Sequence, residues 1–187
     1  HNDARRQRQM CIRDRYNRPK NENDNSWRPD DSIFGGFWEG GKHWGEVIKD
    51  DAIEFINDSQ NFQNPFFMYL AFNAPHDPRQ APKKFLILYR IEKISIPVNY
   101  SPAHPYMYEI GNGPRLRDEA LAPYPRSKYS VKKHIQEYYA IITHLDEQVG
   151  KIISHLENKK LLENTYIIFT SDHGLSVGQH LSLIHIS

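Results

Sequence analysis

The chain has 187 residues, 24 Lys and Arg against 23 Asp and Glu, and a formal net charge of +1. That balance excludes the uniformly basic surface of a nucleic-acid binder. A single cysteine excludes a disulfide framework and a multi-cysteine zinc site. No apolar run approaches the roughly 18 residues of a membrane-spanning helix. Mean hydropathy is low, at -0.73, yet 12% of residues are aromatic, which indicates a folded chain with long polar loops. The length suits one domain or a piece of a larger one.

The charge is uneven. Residues 1–15 carry five arginines (Arg5, Arg6, Arg8, Arg13, Arg15) and two aspartates (Asp3, Asp14), a net +3, which leaves 19 basic and 21 acidic residues, a net -2, for the rest. The chain starts at His1 without a signal-peptide pattern of charged start, apolar run and cleavage site. MCIRDR (Met10 to Arg15) and LSLIHIS (Leu181 to Ser187) resemble translated adaptor scars. Residues 1–15 and 181–187 are therefore expected to be foreign, and 16–180 to be an internal piece of a larger domain.

In chain order, residues 16–33 are polar and read as a loop. Phe34 to Trp44 mixes four glycines with large aromatics, which predicts tight turns anchored by rings. Val47, Ile48, Ala52, Ile53, Phe55 and Ile56 predict a helix from about Gly45, ended by Asn57-Asp58-Ser59. Pro65 to Phe72 is a continuous apolar run of strand length, expected to be buried on both faces. A short helix is expected at Pro82 to Tyr89. Ten of the 12 prolines lie between Pro65 and Pro125, so residues 91–126 read as a long irregular excursion. Val131, Ile135, Tyr138, Ile142, Leu145, Val149, Ile152 and Leu156 form one apolar stripe on a helix over Lys128 to Asn158. On this reading Glu137, Ile141, Glu147 and Lys151 occupy other faces. His134, His144, His155 and Asp146 lie off the stripe in solvent. Thr165 to Thr170 is β-branched and aromatic, a second buried strand. Strand, helix, strand predicts an α/β domain with a mostly parallel sheet flanked by helices.

Ligands bind beyond the carboxyl ends of strands in such sheets. Both expected strands lead into chemically dense stretches, Asn73-Ala-Pro-His-Asp-Pro78 and Ser171-Asp-His-Gly174. His76, Asp172 and His173 would then share one sheet edge and form the best candidate site. A carboxylate and an imidazole on one turn suit a cation; alternatively Asp172 caps a following helix, and His76 is satisfied by main chain. Lys42 and His43, between glycines and Trp44, are candidate lining residues. His104 has no evident partner.

Three blocks together resemble the sulfatases of the alkaline-phosphatase superfamily: Pro65 to Pro78 (PFFMYLAFNAPHDP), Glu137 to Gly150 (EYYAIITHLDEQVG) and Asn164 to Gly174 (NTYIIFTSDHG). The resemblance covers about Phe34 to His180 and looks closest to arylsulfatase-like enzymes of bacteria. It implies a sulfatase-like fold, present here in part, and hydrolysis of a small-molecule or carbohydrate sulfate ester. It also implies a divalent cation, usually calcium, and a formylglycine made from the cysteine of a Cys-x-Pro/Ala-Ser-Arg motif. By position, Asp172 and His173 match the metal-binding pair. His76 matches the histidine that contacts sulfate or protonates the leaving oxygen, and His180 a supporting histidine. The family is often periplasmic or secreted.

The departures are specific. Cys11 lies in Cys-Ile-Arg-Asp-Arg, which lacks the motif, so no nucleophile is assigned in this chain. The upstream paired aspartates and the Gly-Lys-Trp-His segment are missing, and Leu181 breaks the pattern after His180. Imidazole at position 173 suits manganese or zinc better than calcium. A phosphodiesterase or phosphonate hydrolase of the same superfamily and a non-catalytic binding relative are the alternatives.

Overall fold

The computed structural model describes residues 18–31, 41–77, 79–103, 105–109 and 121–179. The expectations for both chain ends, Cys11, Phe34 to Gly40, His104 and His180 lie outside these residues.

Helix α1 (Trp44–Ser59) starts where His43 caps it: the His43 Nδ1 accepts the Gly45 N–H at 3.0 Å. Its buried Ala52 and Ile56 face Ile152 and Leu156 near the end of the long helix. Helix α2 (Lys83–Leu86) is a single turn. Helix α3 (Lys128–Asn158) is capped by Ser127, whose hydroxyl accepts the Ser130 N–H at 3.1 Å. At 1.5 Å per residue it runs for roughly 46 Å, long enough to serve as a spine. Three apolar clusters sit along it. Ile94, Ala122 and Val177 pack on Val131 and Ile135. Ala81, Phe85 and Leu86 pack on Ala140 and Ile141. The α1 contact covers its final turns.

The expected parallel sheet is overturned. The described structure is largely helical and contains no β-strand, only an isolated bridge residue at His43. In residues 65–72, exposure alternates with the period of an extended chain. Phe66, Met68, Leu70 and Phe72 pack on the α1–α3 cluster. Phe67 and Tyr69 face outward, 87% and 81% exposed. In 165–170 there is no such alternation: Tyr166, Ile167, Ile168 and Phe169 are all exposed. The physical reason is pairing. A strand exists only when a neighbour takes its backbone N–H and C=O groups, and the described residues place none beside either segment. Helix packing then covers one face of 65–72, where two were expected.

The α3 stripe needs a second correction. His134, Glu137 and His144 are fully buried, whereas Ile142 is 38% exposed. Apolar periodicity alone does not register a helix face that buries charge against charged loops. Asp146 is exposed, as read. His155 is part-exposed, with its Nε2 3.0 Å from Asn57 Oδ1, joining the last turns of α3 and α1.

Candidate functional site

His76 closes a turn that follows residues 65–72. Its N–H donates to the Asn73 carbonyl at 2.9 Å. The ring is exposed, and Nδ1 lies 2.9 Å from the Asp77 carbonyl. A carbonyl only accepts, so Nδ1 carries a proton.

Behind His76 lies a charged network that the sequence reading missed. One oxygen of Asp77, Oδ1, accepts from Arg18 Nη2 at 2.9 Å and from Arg79 Nε at 3.1 Å. Arg18 Nε also donates to Glu137 Oε2 on α3 at 2.7 Å. The second oxygen of Glu137 accepts from Trp27 Nε1 at 2.6 Å. Arg79 Nη2 is 2.6 Å from His134 Nδ1. Two cations meet two anions, which is the condition for keeping charge buried. Burial pushes the Asp77 carboxyl up, but the Arg79 and Arg18 guanidinium groups outweigh it and hold it at about 2. Burial, followed by the charges of Arg79, Arg18 and Arg126, drives His134 well below the usual imidazole range, so it is neutral. Two signals pointed here: charges flanking His76 at Asp77 and Arg79, and Glu137 amid the apolar positions of α3.

Asp172 and His173 occupy an exposed turn after residues 165–170. Asp172 Oδ1 accepts the His173 N–H at 2.9 Å, and that bond holds its carboxyl below the usual range. His173 Nδ1 lies 3.0 Å from the Gly174 carbonyl, so it too carries its proton on Nδ1. Its Nε2 lies 3.8 Å from Asp172 Oδ2. A carboxylate and an imidazole on one exposed turn are residue types that suit a divalent cation. Among the described residues no group of three or more His, Cys, Asp or Glu side chains is arranged to complete a cage.

His76 and the Asp172–His173 pair are thus each held by their own turn. Lys42 is exposed at the start of α1, with Nζ 2.6 Å from Asp50, which raises its pKa. His43 is buried: besides capping α1, its Nε2 donates to the Gln80 carbonyl at 2.9 Å. Its ring meets that of His144 edge-on, with centroids 4.2 Å apart.

The family model described as Sulfatase matches residues 5–186. The chain is 34% identical to iduronate 2-sulfatase of Mus musculus over 140 residues, 70% of this chain and 25% of that protein. It is 31% identical to a sulfatase of Formosa agariphila over 150 residues, 73% of this chain and 29% of that one. The crystal structure of YidJ from Bacteroides fragilis superimposes with a TM-score of 0.54 at 25% identity, over 91% of this chain and 32% of that one. The chain spans about a quarter of the curated relatives it matches. On these observations the chain belongs to the sulfatase family of the alkaline-phosphatase superfamily.

Proposed function

We propose that the protein containing this chain is a metal-dependent hydrolase of sulfate monoesters. In this reading His76 delivers a proton to the leaving oxygen, and Asp172 and His173 hold part of a divalent cation site. The observation that carries it is the exposed His76 ring, fixed by the 2.9 Å contact of Nδ1 with the Asp77 carbonyl. With that bond kept, a second proton can reside only on Nε2, and a group fixed in this way transfers it in one direction.

A divalent cation, when bound, polarises the sulfate oxygens and offsets charge that develops on them. Asp172 suits calcium by its hard oxygens, and His173 suits manganese or zinc. The nucleophile is proposed to be a formylglycine on a Cys-x-Pro/Ala-Ser-Arg segment encoded upstream of this sequence. The substrate class is a small-molecule or carbohydrate sulfate, and the location periplasmic or secreted.

The test is to recover the gene with its flanking sequence and express the product. Aryl and carbohydrate sulfates are then assayed with and without chelator, beside phosphodiesters and phosphonates. Sulfate hydrolysis abolished by chelator is the expected result, with formylglycine detected by peptide mass spectrometry. Hydrolysis of phosphodiesters alone would move the protein to the phosphoesterase branch. No hydrolysis by an intact product lacking a nucleophile would make it a binding relative.

A further inference from the structure

We infer that Asp77 is a positioning residue for His76, acting through its main-chain carbonyl, and that Arg18, Arg79 and Glu137 hold it in place. The inference rests on the reading of His76 as the leaving-group acid.

A carboxylate beside a working histidine is expected to bond the ring. Here Asp77 does the opposite. Its carboxylate turns inward to Arg18 at 2.9 Å and Arg79 at 3.1 Å. Its neutral carbonyl turns to the imidazole, 2.9 Å from Nδ1. The two contacts lie on one residue, so fixing the carboxylate restricts rotation of the peptide that carries the carbonyl. The anchor is rigid because Arg18 and Arg79 have fully buried side chains and Arg18 reaches Glu137 on α3. Trp27 fills the second Glu137 oxygen. Charge-assisted bonds of 2.7 to 3.1 Å to buried guanidinium groups limit the movement of the carboxylate. The ring is therefore oriented without a negative charge in contact with it.

The consequence separates positioning from bulk stability. A misdirected acid costs most when the leaving alcohol is a poor leaving group, because only then does the transition state need the proton. The test uses the complete gene product with Asp77→Asn and, should that variant not fold, Arg79→Lys, which keeps the cation but loses its forked bonds. Turnover is measured on an alkyl sulfate and on an aryl sulfate with an acidic phenol. Ring tautomers are read by 15N NMR. The expected result is an alkyl sulfate kcat lower by about 100-fold, a loss for the aryl ester of under about 10-fold, nearly constant KM, and loss of the pure Nδ1–H tautomer at His76. Equal losses on both esters with an unchanged tautomer would overturn the inference. A wild type that hydrolyses no sulfate ester defeats the sulfatase reading, while the tautomer comparison still decides whether Asp77 positions the ring.

Discussion

Glu137 and Arg18 meet at 2.7 Å with both side chains fully buried, although 119 positions separate them in the chain. The pair fastens the loop of residues 18–31 to the first third of α3. Through Asp77 it also fastens the turn that carries His76. One helix face thus supports both the fold and the candidate acid. The same arrangement makes that face sensitive, because every partner removed leaves a buried charge behind.

Glu137→Ala is expected to destabilise the protein by about 3–5 kcal/mol, since it strips Arg18 of one of two anions and Trp27 of its acceptor. Glu137→Gln should cost less, because an amide oxygen still accepts. Urea unfolding of both variants measures this. A loss below about 1 kcal/mol for the alanine variant would show that the pair is not a structural anchor.

Gly178 lies shortly after the Asp172–His173 turn, at φ +94°, where an added Cβ would stand 2.4 Å from Val131 Cγ1. Gly178→Ala is expected to cost roughly 1–3 kcal/mol from overlap and backbone strain together. In a double-mutant cycle with Val131→Ala, the overlap part should be recovered and the strain part should stay. Thermal unfolding of the four proteins separates the two. Strict additivity would place the cost elsewhere.

Acid should loosen the packing of α1 on α3. Burial lowers the pKa of His43 despite the Gln80 carbonyl, and burial followed by the neighbouring His43 lowers that of His144 to about 3. Both groups are protonated more easily in the unfolded chain, near 6.5. The stability they contribute is therefore complete above 6.5 and is lost as pH falls toward their folded values. Protonating His43 Nδ1 also removes the cap on α1. Glu46, Lys84, Glu147 and Lys151 are the charged groups around His144. The thermal midpoint should drop between pH 7 and pH 4.5, and His144→Gln should flatten the slope without abolishing it, because buried His134 acts in the same direction. An unchanged slope would exclude His144 as a source.

Asp172→Ala should leave stability within about 0.5 kcal/mol, since the side chain is 88% exposed. Activity of the complete gene product should fall by about 100-fold or more if the residue holds the cation. Paired melting curves and sulfate assays decide this. Full activity with an intact fold would remove Asp172 from the cation site.

Local rules were legible in the sequence. The limits of α3 at Lys128 and Asn158 followed from apolar spacing, and α1 began one residue from its expected start. Both signals lie within one or two turns of chain. The family was also readable, from three blocks taken together, and the family model matches residues 5–186. What lay beyond the sequence was whatever depends on distant neighbours. Strand formation in 65–72 and 165–170 required backbone partners that no described residue supplies, whatever the apolar content. The burial of Glu137 and His134 required Arg18 and Arg79 opposite them, one of which sits in a stretch that reads as a plain polar loop. Apolar periodicity reports which face of a helix avoids water. Only the tertiary structure decides where a charge meets its counter-charge, because that depends on proximity in space between segments far apart in the chain.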